Sequence, residues 1–195
     1  MIDVAEIMCP DDVKNLARLP RMQAIYDVLF KIGAKYKPKS IFEIGVRAGY
    51  SAYAFITGSG QVDTYIGMDC DDRKHYGGPW LPWARKLFTD LEVPWQIWEQ
   101  DSQAMTRVTG IYDVPWEFQF DLIHVDGDHT YEGCLHDMEL CWPAVKPGGV
   151  MVVDDTTYLP GPRKACAEWG KDLADIANVY LEPSPTGSMV YEKRG

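Results

Sequence analysis

Three carboxylates stand where strands end. In the run FDLIHVDGDHTYEGCLHDMELCWPAVKPGGVMVVDDT, residues 120–156, Asp126 follows one apolar segment and Asp154 with Asp155 follows another. Neither apolar segment alternates, as expected of strands covered on both faces, and the stretch between them reads as a helix. A right-handed βαβ crossover brings the carboxyl ends of neighbouring parallel strands to one edge of the sheet, so the three acids should converge there. Converging carboxylates repel unless a divalent cation, a cationic ligand or a shared proton neutralises them. His129 lies three residues past Asp126 in the turn that enters the helix, which makes it a candidate proton acceptor on the same edge. Of the other histidines nearby, His136 reads as solvated in mid-helix and His124, inside the strand, as a satisfied core residue.

A second chemical feature lies upstream. The strand SIFEIG runs into VRAGYSAYAF with the pattern E-x-G-x-x-x-G-x-S, carried by Glu43, Gly45, Gly49 and Ser51. Glycine at 45 allows a sharp turn and close approach to a ligand, and glycine at 49 allows tight packing where a helix begins, so a nucleotide-like ligand over that helix start is implied. A dinucleotide fingerprint would need glycine at 47; Arg47 stands there and crowds the place of a pyrophosphate. Asp69 closes the next strand, DTYIGMD, near the offset of about 20 residues at which an acid meets ribose hydroxyls, with Asp71 and Asp72 as competitors. The strand PWQIWEQD closes on Asp101, followed by Ser102; the pair suits an adenine edge, a helix N-cap, or both. Between them the loop around His75, Tyr76, Gly77, Gly78, Trp80 and Trp83 reads equally as a substrate cover over residues 71–83 and as two tryptophans stapling a helix start.

The positioning elements follow from periodicity. Residues 11–36 read as helix in two pieces broken at Pro20, with Ile25, Leu29, Ile32 and Tyr36 at helical spacing, so residues 1–38 form an N-terminal helical layer for packing. Pro147-Gly148-Gly149 reads as a turn into the second acid-bearing strand. Residues 161–177 form a helix with Ala165, Trp169, Leu173 and Ile176 inward, and NVYLEPSP with GSMVYEKR form an antiparallel hairpin at the sheet edge. The 195 residues suit one domain, 1–195. A net charge of −10 argues against nucleic acid or an anionic membrane surface as partner. No apolar run approaches the roughly 20 residues of a membrane span, and no basic-then-apolar leader is visible. Five cysteines without a CxxC pair suit a reducing cytoplasm, with Cys134 and Cys141 on one helix face in the core.

This order of elements resembles the class I S-adenosylmethionine-dependent methyltransferases from Ser40 to Glu192. FEIGVRAGYSA is similar to their first motif as found in small cation-dependent O-methyltransferases, and the DGDH and PGG segments are similar to those of the macrocin O-methyltransferase branch. The resemblance implies an α/β fold, a doubly wound, mostly parallel seven-stranded sheet with an antiparallel C-terminal hairpin. It implies S-adenosyl-L-methionine as cofactor, with Glu43, Gly45, Val46, Arg47, Gly49 and Ser51 on its methionine and ribose side, Asp69 on the ribose, Asp101 with Ser102 at the adenine, and Asp126 beside it. It places Mg²⁺ or another divalent cation on Asp126, Asp154 and Asp155, and catalysis on His129 as base with Asp126. The acceptor would be a small hydroxylated molecule, a sugar or a vicinal diol or catechol, in a site less enclosed than in larger members. Two rival readings are an NAD-dependent oxidoreductase, against which Arg47 counts, and a cofactor-binding protein without transferase activity. The acids could also cap the following loop without an ion, leaving Asp126 to the cofactor amine. The hairpin and N-terminal helices are plausible homo-oligomer interfaces.

Overall fold

The computed structural model describes residues 1–14, 16–71, 80–105, 119–173 and 175–195. Its centre is a seven-stranded sheet of order β3-β2-β1-β4-β5-β7-β6. The strands are β1 (Ser40–Ile44), β2 (Thr64–Met68), β3 (Trp95–Trp98), β4 (Phe120–Val125), β5 (Val145–Val153), β6 (Ala177–Glu182) and β7 (Ser188–Lys193). β1 to β5 pair in parallel, and β7 pairs antiparallel with both β5 and β6. The helices are α1 (Val4–Ile7), α2 (Pro10–Val13), α3 (Leu19–Tyr36), α4 (Tyr50–Ser59), α5 (Leu81–Asp90), α6 (Tyr131–Cys141) and α7 (Pro160–Asp172).

Alternation along the strands feeds two cores. Ile41 of β1 joins Leu29, Ile32, Phe55 and Phe88 beneath α3, α4 and α5. Phe42 and Ile44 face the other way and join Cys134, Met138, Cys141, Ala165 and Trp169 beneath α6 and α7. Register then decides what meets at the edge. Ile44 is opposite Met68 on one side and Val125 on the other, and Val125 is opposite Val153. The next residue on each strand, Gly45, Asp69, Asp126 and Asp154, is therefore delivered to one line along the carboxyl edge, where ligands bind in open α/β sheets.

Three local expectations change. Pro20 does not break a helix but sits in the first turn of α3, where its missing N–H leaves no bond unmade. Pro147-Gly148-Gly149 is not a separate turn. It lies within β5 as an offset: pairing passes from Phe120–Val145 to Leu122–Val150, with Gly148 at φ +79. Lys146 in that offset reaches Asp121 at 2.7 Å and ties the irregular stretch to β4. Asp121 is held below the usual carboxylate range, because the bonds from Lys146 and from the Ser40 and Lys39 N–H groups outweigh burial, which acts the other way. Finally, α7 starts at Pro160 and ends at Asp172; Leu173 remains inward, but the Ile176 N–H bonds back to the Leu173 carbonyl and Ile176 turns out to solvent.

Among the described residues no disulfide forms, and Cys9, Cys134, Cys141 and Cys166 are buried. No described helix is long and apolar enough to cross a membrane.

Candidate functional site

The turn after β1 is built on a conformation only glycine accepts easily. Gly45 has φ +90, and a Cβ there would lie 2.0 Å from the Asp126 carbonyl oxygen, so the ends of β1 and β4 touch backbone to backbone. Arg47 follows in the left-handed region, at φ +46. That conformation aims its N–H at Asp69 Oδ2, at 2.7 Å, while Asp69 Oδ1 accepts from the Asp71 N–H at 2.6 Å. The Arg47 guanidinium lies 4.2 Å from the Trp80 ring centroid and pairs with Asp12 at 2.8 Å. Asp101 caps the turn after β3 by accepting from the Gln103 N–H at 2.9 Å.

These groups surround a cavity of about 550 Å³, and Gly45, Arg47, Asp69, Asp101, Ser102, Asp126 and His129 all line it. The structure thus brings together residues from the ends of β1, β2, β3 and β4. Glu43, Val46, Gly49 and Ser51 are not on that wall. Glu43 is fully buried: its Oε1 accepts from the Ser51 hydroxyl at 2.5 Å and meets His124 Nδ1 at 2.8 Å, and its Oε2 accepts from the Tyr65 hydroxyl at 2.5 Å. Position 43 alternates onto the α4 face of the sheet, so its side chain braces the turn from below. Gly49 caps α4, where a Cβ would lie 2.8 Å from the Phe88 ring, and Val46 is buried. His136 is not simply solvated, since its Nε2 is 3.0 Å from the Ser102 carbonyl. Next to it, fully buried Asp137 accepts from Gln103 Nε2 at 2.8 Å; burial pushes its carboxyl up to about 6. Both residues of α6 hold the Asp101–Gln103 turn. Sequence reading missed this, although an acid on the inward face of a helix was a visible signal.

The acid side is arranged differently. His129 Nε2 lies 3.1 Å from Asp126 Oδ1 and 3.3 Å from Asp155 Oδ2. Burial alone would lower the His129 pKa, but the bond to Asp126 and the charges of Asp126 and Asp155 push it up to about 9. Asp155, at φ +58, is pushed up to about 7 by burial and by repulsion from Asp126 and Asp154. Asp154 is also raised, first by burial and then by Asp126, although its Oδ1 accepts from Ser188 at 3.0 Å and Thr186 at 3.3 Å. The three acids do not meet at a single point. Two sets of ligand atoms, each within 4.8 Å of one another, share Asp126: one adds His124 and Asp154, the other His129 and Asp155. Their oxygen and imidazole donors, with two carboxyls driven toward protonation, fit a divalent cation.

Of the 71–83 loop, residues 72–79, which include Asp72, His75, Tyr76, Gly77 and Gly78, lie outside the described residues. Trp80 is buried at the start of α5 and also lines the cavity, and Trp83 Nε1 donates to the Ile7 carbonyl at 3.0 Å.

Residues 42–156 match a family model described as a methyltransferase domain, over more than half of the chain. No curated protein matches the sequence. Solved structures with the same fold include the SAH-bound methyltransferase PaMTH1 of Podospora anserina, at TM-score 0.64 and 19% identity, covering 98% of this chain and 85% of that one. The O-methyltransferase TomG of Streptomyces achromogenes, in complex with SAM, is similar at TM-score 0.65 and 16% identity over 88% of this chain and 80% of its own. CalS11, a TDP-rhamnose 3'-O-methyltransferase of calicheamicin biosynthesis, is similar at TM-score 0.64 and 18% identity over 95% of this chain and 87% of its own.

Proposed function

The chain belongs to the methyltransferase-domain family, and from that premise we propose that it is an S-adenosyl-L-methionine-dependent O-methyltransferase acting, with a divalent cation, on a small hydroxylated acceptor. The observation that carries this reading is the line of strand ends. It sets a nucleoside-sized cavity with acids at Asp69 and Asp101 directly against the Asp126 cluster. Asp69 accepts the ribose hydroxyls on the lone pairs that the Arg47 and Asp71 N–H groups leave unused. Asp101 and Ser102 border the adenine, and Gly45 lets the ligand lie close to the backbone. An NAD-dependent oxidoreductase fits less well, because Arg47 occupies the pyrophosphate side of the turn.

Methyl transfer requires oxygen, carbon and sulfur in line, so much of the acceleration comes from holding acceptor and cofactor across one edge. Asp126, shared by the cavity wall and both ligand sets, is the residue that joins the two halves. His129 removes the acceptor proton. For that its Nε2 must be unprotonated near neutral pH, whereas Asp126 and Asp155 hold the proton on it up to about 9 when no other cation offsets them. A divalent cation such as Mg²⁺ or Mn²⁺, held by Asp126 with either Asp154 or Asp155 rather than by all three acids at one point, would supply that offset and lower the pKa of a hydroxyl it holds. A vicinal diol, as in a sugar or a catechol, suits such chelation, and the TDP-rhamnose activity of CalS11 is one instance of a diol-bearing acceptor.

The test is transfer of a labelled methyl group to a panel of sugars, nucleotide sugars and catechols, with and without EDTA. Turnover that stops in EDTA and returns with Mg²⁺ or Mn²⁺ is expected. Full turnover in EDTA would remove the cation from the mechanism. Binding of S-adenosylhomocysteine with no turnover across the panel would favour a binding protein, and a melting-point rise with NAD instead would favour an oxidoreductase.

A further inference from the structure

We propose that His124 is a nitrogen ligand of the cation, acting through Nε2 in a set with Asp126 and Asp154. The proposal rests on the cation reading above and assigns to it a residue inside β4 that sequence reading left in the core. Alternation sends residues 124 and 126 of one strand to the same face, and pairing of His124 with Val152 places Asp154 beside Asp126 on that face. One ligand atom each from His124, Asp126 and Asp154 falls within 4.8 Å of the others.

The tautomer is set from behind. Glu43, opposite His124 in the β1–β4 ladder, places Oε1 2.8 Å from His124 Nδ1. A carboxylate only accepts, so Nδ1 carries a proton, and in the neutral imidazole Nε2 is then the nitrogen that presents a lone pair. Glu43 is itself anchored by Ser51 and Tyr65. A carboxylate that orients a histidine for a metal ion is a recurrent arrangement around bound metals. The Phe55 ring, 5.1 Å away, packs against the imidazole from the α4 side. Nε2 is then a buried polar atom with no hydrogen-bond partner among the described residues, on a side chain with 0% exposure. Buried polar atoms are nearly always partnered, and an unpartnered one beside two carboxylates is where an absent partner belongs. A proton and a cation compete for that lone pair.

The chemical consequence concerns which ion binds. An imidazole donor suits Mn²⁺, Fe²⁺, Co²⁺ or Zn²⁺ better than Mg²⁺, whose usual ligands are all oxygen. The deep set therefore points to a first-row transition ion, and the outer set with His129 remains available to the acceptor and its proton.

The experiment uses the full chain stripped with EDTA and loaded with Mn²⁺, read by pulsed electron paramagnetic resonance with no acceptor present. The expected result is a directly bonded nitrogen that changes from the ¹⁴N to the ¹⁵N pattern on histidine labelling and persists in His129→Gln. Loss of the nitrogen in His129→Gln would assign it to the outer set and overturn the proposal. Bound Mn²⁺ with no nitrogen in the wild-type protein would overturn it while leaving the cation reading intact. No bound Mn²⁺ in the wild type would refute that reading and the proposal together. His124→Gln should weaken Mn²⁺ binding at least tenfold, more than it weakens Mg²⁺ binding; because His124 is buried, the spectra of wild type and His129→Gln decide the matter even if that variant does not fold.

Discussion

The two halves of the carboxyl edge treat their carboxylates in opposite ways. On the β1–β2–β3 half each acid is met by main-chain donors: Asp69 by the N–H groups of Arg47 and Asp71, Asp101 by that of Gln103. On the β4–β5 half, Asp126 and Asp155 converge on one imidazole, and Asp154 and Asp155 are raised by burial and by their neighbours. The first half is preorganised for a ligand recognised by hydrogen bonds. The second is left with charge to be neutralised. Under the proposed function, cofactor recognition and cation dependence would fall to separate sets of side chains, with Asp126 as the shared member.

The most damaging way to test this division is to remove the shared residue. Asp126→Ala should lower kcat/KM by roughly 10³-fold or more and weaken Mn²⁺ binding, since it takes away both a cavity wall and a ligand of each set. His129→Gln should lower kcat by roughly 10²- to 10³-fold, the scale of general acid–base catalysis, while the S-adenosylhomocysteine Kd from calorimetry moves only a few-fold. An equal loss of affinity would place His129 in the cofactor half. Asp69→Asn should do the reverse, raising that Kd by about tenfold to a hundredfold, as for loss of charged hydrogen bonds, with Mn²⁺ affinity unchanged.

The smallest effect is on stability and carries a sign. Asp155, raised to about 7, keeps a proton in the folded chain that the unfolded chain releases near the ordinary carboxyl range. Its effect is to lower stability as pH rises through that window. His129, raised to about 9, contributes stability that is fully present below its ordinary value of 6.5 and is lost as pH climbs through about 9. Both slopes run the same way, so the EDTA-treated protein should melt at progressively lower temperature from about pH 5 to about pH 9. Added divalent cation should raise the melting point more at the alkaline end, where fewer protons compete. A cation-induced shift that does not vary with pH would contradict the unbalanced charge of the β4–β5 half.

Much of this edge could be read from the chain because acids closing apolar runs mark strand ends, and parallel register then aligns them. The hairpin and the βαβ unit followed from the same periodicity. What stayed hidden depends on pairings between strands distant in the chain. The Glu43–His124 contact needs β1 beside β4, and only that adjacency shows that position 43 points into the core rather than toward a ligand. Pro147-Gly148-Gly149 has turn chemistry in isolation, yet pairing with β4 before it at Val145 and after it at Val150 draws it into the sheet as an offset. The His136 and Asp137 contacts with the Ser102–Gln103 turn required the angle at which α6 packs, which periodicity does not specify.

Arg47 connects the site to the start of the chain. Asp12 holds its guanidinium and also accepts from the Tyr50 hydroxyl at 2.9 Å, which in turn accepts from the Cys9 N–H at 2.6 Å. The residues before β1 therefore supply the counter-charge for a cavity wall as well as a packing layer. In a chimera that grafted this sheet onto another N-terminal segment at Ser40, Arg47 would lose its carboxylate partner while still lying over Trp80. The unit to transplant is thus the sheet together with its first helices.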